Sequence, residues 1–219
     1  MFEIQAHRAN TAAALRSHCA AEPSSLELDA GVLADGAVVV SHEVRATTLE
    51  CPPSQLLGTP WRELTTDDAH DLCRLTLDAA LALAGDTPVV VEAKSFPPHT
   101  VEPRLFVDAL EPYLGRIALA SYDKRVLTHA RRRQRALETT FLFETPVRVA
   151  TAARTLGPRA DLVTGDLVHA AHALGMRIVP WTVNDPRDMR ALVDLGVDGL
   201  VTDDPLLLHD VLRPLALAV

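Results

Sequence analysis

The stretch Val89-Val90-Val91-Glu92-Ala93-Lys94-Ser95 decides the fold. A β-branched apolar run after Pro88 reads as a buried strand. Glu92 and Lys94 sit in it two residues apart, so on a strand they share one face. Opposite charges on a buried face are costly unless they are paired or used. A fully apolar strand with a charged end suits a parallel sheet whose active end is polar.

Outward from this run, strand-like and helix-like segments alternate along most of the chain. Phe2 to Ala6 reads as a first strand, followed by a helix from Thr11 to Ala21 capped by Asn10. Ser25 to Val32 is a second strand, and Asp35-Gly36 turns the chain into a further extended stretch, Ala37 to Ser41. A Pro-containing loop, Val44 to Thr66, leads to a helix capped by Asp67-Asp68 and running to about Ala84. Beyond Lys94, the pattern predicts helices at Pro103 to Tyr113, from Lys124, and at Val147 to Leu156. It predicts strands at Ile117 to Ser121, Thr139 to Phe143 and Asp161 to Thr164. A helix from Leu167 to Leu174, a strand from Arg177 to Val183 and a helix opened by Asp185-Pro186 follow. Gly199 to Thr202 is the eighth main strand, before a last helix from Asp204-Pro205.

Eight strand-plus-helix units point to an α/β fold, a (β/α)8 TIM barrel. A doubly wound sheet is the rival, but no G-x-G-x-x-G turn follows an early strand. No linker divides residues 1–219, which reads as a single compact domain. The net charge of -8 argues against broad nucleic-acid binding, and Arg131 to Arg135 reads as a solvated helix face. Three scattered cysteines suggest no disulfide framework and fit a reducing, cytoplasmic setting. Met1-Phe2-Glu3 shows no leader pattern, and no long uncharged apolar run predicts a membrane span.

The active end of such a barrel lies at the C-terminal ends of its strands. His7-Arg8 ends strand one, Glu27 and Asp29 share a face of strand two, and His42 follows the hairpin return. If strands two and three are neighbours, Glu27, Asp29 and Glu92 converge. Three close carboxylates raise one another's pKa values, and a divalent cation relieves that. Oxygen-only ligands suit Mg²⁺ or Ca²⁺. A cation beside Arg8 and Lys94 makes a positive pocket for an anion such as phosphate. His7 and His42 suit general acid and base work near neutral pH. Taken alone, the Glu92 and Lys94 pair has an equally good structural reading.

In this order the residues resemble the glycerophosphodiester phosphodiesterase family. The matching pieces include Ala6-His7-Arg8, Asn10-Thr11, Leu26-Glu27-Leu28-Asp29, Ser41-His42 and Val91-Glu92-Ala93-Lys94. Ala34-Asp35-Gly36, Val38-Val39-Val40, Arg45-Ala46-Thr47-Thr48, Ser121-Tyr122-Asp123, Trp181-Thr182-Val183-Asn184 and Gly196 to Pro205 complete them. The resemblance implies a metal-dependent barrel that hydrolyses glycerophosphodiesters to an alcohol and glycerol 3-phosphate. It implies Glu27, Asp29 and Glu92 as metal ligands and His7 and His42 as the acid/base pair. It further implies Arg8 and Lys94 on the phosphate, and Trp181 lining the substrate pocket. Where the family has His-Arg-Gly and a Pro-Glu loop, this chain has Ala9 and almost no loop. The family's His-Asp is His42-Glu43 here, and the insertion before strand three looks trimmed. These departures leave open a lysophospholipid or sphingolipid phosphodiesterase that releases a cyclic phosphate, and a non-catalytic barrel that binds a phosphorylated ligand. The expected partner is a small phosphodiester, with no membrane insertion; oligomeric state has no signature in the sequence.

Overall fold

A computed structural model describes residues 1–46, 56–94, 102–147 and 151–216. Strand β1 (Glu3–Ala6) is followed by α1 (Ala12–Ala20), β2 (Ser25–Val32) and β3 (Val38–Val40). Helices α2 (Thr66–Asp71) and α3 (Leu77–Ala84) precede β4 (Val89–Ala93). Then come α4 (Pro103–Leu110), β5 (Ile117–Ser121), α5 (Lys124–Arg133), β6 (Thr139–Phe143) and β7 (Thr155–Pro158). The described chain ends with α6 (Gly165–Ala173), β8 (Arg177–Ile178), α7 (Pro186–Asp194), β9 (Gly199–Thr202) and α8 (Pro205–Ala216).

Eight strands pair in the order β8-β7-β6-β5-β4-β2-β1-β9, all parallel, with β3 antiparallel on β2. The barrel closes between β8 and β9 through Asp198 N–H to Ile178 O, Val201 N–H to Pro180 O and Val183 N–H to Val201 O. Pro180 has no N–H to give toward β9 and Pro158 has none to give back from β7, so the strand expected over Arg177 to Val183 has regular pairing only at Arg177–Ile178. On the other side of β9, Gly199 faces Glu3 so closely that a Cβ there would lie 2.6 Å from the Glu3 carbonyl. Only glycine fits that approach.

The strands look uniformly apolar, yet their two faces differ. Leu26, Leu28, Val91, Ala93, Leu119, Leu156 and Leu200 belong to the continuous core shared with the helices. The alternate residues Gln5, Glu27, Glu92, Ala120, Thr140 and Val201 line the barrel interior. Leu33 before β3, Val39 within it and Ala46, Leu64, Ala69 and Leu72 after it surround Trp61 in a smaller apolar cluster.

Several expectations are corrected. The helix expected over Val147 to Leu156 includes residues 148–150, which lie outside the described residues; Thr155 and Leu156 belong to β7 instead. The strand expected at Asp161 to Thr164 is a 3-10 turn, Ala160–Leu162. The helix expected from Asp67 to Ala84 is two helices, broken where Cys73 takes a left-handed φ of 53°. Its cap is Thr65, in a capping box with Asp68. Thr11, rather than Asn10, caps α1. Cys73 is disulfide-bonded, against the expectation of no disulfide, while Cys19 is a free thiol. Persistent disulfides belong to oxidising surroundings, so the cytoplasmic expectation loses its cysteine argument. No described helix is long and apolar enough to cross a membrane.

Candidate active site

The register of β2 against β4 sets Asp29 directly opposite Glu92, with Glu27 opposite Val90. Glu27, Asp29 and Glu92 therefore converge, each offering an oxygen within 4.8 Å of the others. All three are buried. Burial, then repulsion from Asp29 and Glu92, drives the Glu27 carboxyl well above its ordinary range. Burial and Asp29 push Glu92 up to about 7, against the pull of the Lys94 ammonium. Burial acts on Asp29 in the same direction, but Lys94 and the Asn10 amide outweigh it and hold Asp29 low.

Lys94 Nζ lies 2.7 Å from Asp29 Oδ1 and 2.7 Å from Glu92 Oε1. Burial disfavours its charge, and these two carboxylates more than restore it. One ammonium cannot balance three buried carboxylates. Glu27 Oε1 is buried without a hydrogen-bond partner among the described residues. An orphaned buried carboxylate oxygen beside two others fits a hard divalent cation, whose preferred ligands are carboxylate oxygens.

The segment after β1 wraps this cluster. Arg8 adopts a left-handed φ of 52°, which aims its N–H at Glu27 Oε2, 2.7 Å away. Ala9 N–H donates to the Glu27 carbonyl at 2.9 Å. Ala9 is fully buried in the main core and does not line the cavity.

His7 and His42 are each tied through Nδ1 to a carboxylate. His7 Nδ1 is 2.7 Å from Asp203 Oδ1. Asn184 Nδ2 donates to the other oxygen of Asp203 at 2.5 Å, and Asn184 Oδ1 accepts from Thr202 and from the Asp203 N–H. Burial lowers the His7 pKa more than Asp203 raises it. His42 Nδ1 is 3.0 Å from Glu43 Oε1, and Arg8 Nη2 is 2.7 Å from His42 Nε2. Guanidinium only donates, so His42 Nε2 accepts and Nδ1 carries the proton toward Glu43.

His7, Arg8, Glu27, His42, Glu92, Lys94 and Trp181 line one cavity of about 620 Å³, open to solvent. Asp29 sits behind them, 1% exposed. Trp181 is fixed by its Nε1–H to the Gly157 carbonyl and by an edge contact with Tyr122 at 5.8 Å between centroids. Tyr122 also lines the cavity; burial and Glu92 push its hydroxyl upward, so it stays protonated. Asn10, Asp203 and Asn184 stand beside the site without having been assigned roles there. Their signal was present for Asp203 and Asn184, which end strands, but their pairing depends on barrel closure.

A family model described as glycerophosphoryl diester phosphodiesterase matches residues 5–207. A glycerophosphodiester phosphodiesterase of Caldanaerobacter subterraneus subsp. tengcongensis is 26% identical over 230 residues, covering 93% of this chain and 92% of that protein. A glycerophosphodiester phosphodiesterase structure from Parabacteroides distasonis superposes with TM-score 0.81 at 22% identity, covering 98% of both chains. A phosphodiesterase of Oleispira antarctica, solved with its product sn-glycerol-3-phosphate, gives TM-score 0.77 at 15% identity, covering 96% of both chains. At these identities the two structures speak for the barrel fold.

Proposed function

The chain belongs to the glycerophosphoryl diester phosphodiesterase family, and from that premise we propose that it hydrolyses glycerophosphodiesters to an alcohol and sn-glycerol 3-phosphate with a bound divalent cation. The observation that carries the reading is the orphaned Glu27 oxygen within a buried three-carboxylate cluster, in the cavity that also presents Arg8, His7 and His42. The product held by the Oleispira antarctica neighbour supports glycerol 3-phosphate as the retained half.

Glu27, Asp29 and Glu92 would hold the cation, Mg²⁺ or Ca²⁺, which would supply positive charge to the phosphodiester oxygens. Arg8 and Lys94 bind the same phosphate, adding donors where charge develops in the transition state. His7 is kept neutral by burial and oriented through Nδ1 by Asp203, so Nε2, 3.5 Å from the Thr182 hydroxyl, carries the lone pair that acts as the base. It takes the proton of the glycerol 2-hydroxyl as that oxygen attacks phosphorus. His42, released at Nε2 when Arg8 turns to the phosphate, takes up a proton there from solvent, with Glu43 supporting the imidazolium, and gives that proton to the leaving alcohol. In the second half the roles reverse and water opens the cyclic phosphate. Trp181 and Tyr122 form the apolar wall against which the glycerol and head group rest. Residues 1–219 act as one domain in this reading.

Phosphorus NMR of glycerophosphocholine incubated with the protein and Mg²⁺ or Ca²⁺ tests the proposal. The expected product is sn-glycerol 3-phosphate. A cyclic phosphate formed from lysophosphatidylcholine, with glycerophosphocholine untouched, would transfer the site to lysolipids. Tight binding of glycerol 3-phosphate without turnover of either would make the barrel a binding protein.

A further inference from the structure

Asn10 sits two residues past Arg8, where the short segment between β1 and α1 crosses the end of β2. We propose that Asn10 is a positioning residue for the cation site, fixing the carboxylate of Asp29 in its ligating orientation. The proposal rests on the cation reading of Glu27, Asp29 and Glu92.

Asn10 meets Asp29 twice. Its Nδ2 donates to Asp29 Oδ2 at 2.5 Å, and its Oδ1 accepts the backbone N–H of Asp29 at 2.9 Å. One amide thus bridges the main chain and the carboxylate of the same residue. Strand pairing alone fixes the Cα of Asp29 and leaves its side-chain torsions open. The bridge closes them. The amide orientation is dictated by its partners, because a carboxylate needs the NH₂ and an N–H needs the carbonyl.

The bridge matters because Asp29 has a competitor for its charge. Lys94 Nζ lies 2.7 Å from Asp29 Oδ1. With Oδ2 held by Asn10, the carboxylate cannot turn both oxygens onto the ammonium. One oxygen on Asn10 and the other on Lys94 fix the carboxylate plane, with an Asp29 oxygen within 4.8 Å of those offered by Glu27 and Glu92. Hydrogen bonds of this kind to a ligating carboxylate set how strongly a site binds its metal.

Asn10 is itself held on both sides. Its N–H donates to the carbonyl of the left-handed Arg8 at 2.7 Å, spanning Ala9, and Ala9 N–H is bound to the Glu27 carbonyl. On the far side Thr11 caps α1 by accepting from Ala14 N–H. The nearly absent loop between Arg8 and Asn10 therefore places the amide on Asp29 with no slack. In this chain the turn that aims Arg8 N–H at Glu27 also sets Asn10 against Asp29, so one short segment orients two of the three proposed ligands.

Isothermal titration of Mg²⁺ and of Ca²⁺ into the full chain tests this, with wild type, Asn10→Ala, Asn10→Ser and Thr11→Ala. The expected result is a loss of about 10- to 100-fold in cation affinity for both Asn10 variants. The cation-induced rise in thermal midpoint shrinks in parallel, and excess cation restores most of the turnover number. Thr11→Ala removes only the helix cap; it lowers the thermal midpoint in EDTA and leaves cation affinity at the wild-type value. Wild-type affinity in a folded Asn10→Ala or Asn10→Ser protein overturns the proposal. A wild-type chain that binds neither cation overturns the cation reading itself, and this proposal with it.

Discussion

The two histidines have the same chemistry and different foundations. His7 stands at the end of a barrel strand, 17% exposed, and its carboxylate partner Asp203 is locked by Asn184 and Thr202 at the closure of the barrel. His42 stands past the β3 hairpin strand, 39% exposed, tied to its own neighbour Glu43 and to Arg8. Its ground is the small cluster around Trp61, whose Nε1–H holds the Glu43 carbonyl at 2.7 Å. A general base that must stay neutral gains from burial in a rigid wall. In the proposed mechanism, a proton carrier that exchanges Arg8 for substrate gains from a more open setting.

The comparison is broken most directly by removing each histidine. His7→Ala and His42→Ala should each lower the turnover number by about 10²- to 10⁴-fold with cation affinity retained. Steady-state kinetics that leave either variant near wild type would remove that histidine from the chemistry. Asp203→Asn and Glu43→Gln then separate the two foundations. Asp203→Asn exchanges an acceptor for a donor against His7 Nδ1 and should cost about 100-fold in turnover, whereas Glu43→Gln should cost less than about tenfold. Equal losses would erase the distinction between the supports.

A pH titration of cation binding sharpens the picture at the shared floor of the site. Glu92 has its folded pKa raised from 4.5 to about 7. Its contribution to stability without a cation is thus present below 4.5 and is lost as the pH rises through about 7. A cation takes the ionised form, so ionisation of Glu92 should raise affinity by up to about tenfold per unit from pH 5 to 6.5. Calorimetry showing an affinity flat across that window would contradict the assigned ligand. The smallest effect belongs to Trp61→Phe, which keeps the ring packing and removes the donor to the Glu43 carbonyl. It should cost about 1 to 3 kcal/mol of stability by denaturant unfolding and slow turnover a few-fold. A loss as large as that of Asp203→Asn would make the small cluster as rigid as the barrel.

The same contrast explains what could be read without coordinates. Thr139–Phe143 has the predicted bounds because its Thr and Phe residues carry β propensity, and Ser25–Val32 because turn residues, Pro23-Ser24 before it and Asp35-Gly36 after it, bracket it. β7 was hidden. Thr155-Leu156-Gly157-Pro158 contains the two residues most depleted from strands, after alanines that favour helix. The structure supplies the reason for Gly157, where a Cβ would meet Leu142 at 2.6 Å. Cys73 carries no local mark of the left-handed turn that splits α2 from α3. At the site, Glu27, Asp29, Glu92 and Lys94 were legible because charge in an apolar strand stands out and alternation assigns it a face. The links from His7 to Asp203, across 196 residues, and from Asn10 to Asp29 exist only through tertiary closure. Asn10 was misread as a helix cap because Asn commonly serves as one and Thr11, beside it, does so here.

Release of sn-glycerol 3-phosphate from glycerophosphocholine, measured with Mg²⁺ or Ca²⁺ and again in EDTA, tests the cation-dependent phosphodiesterase most directly. The account predicts release with at least one of the two cations, its abolition by EDTA and its recovery on adding the cation back. Full release in EDTA, or none with either cation, would contradict it.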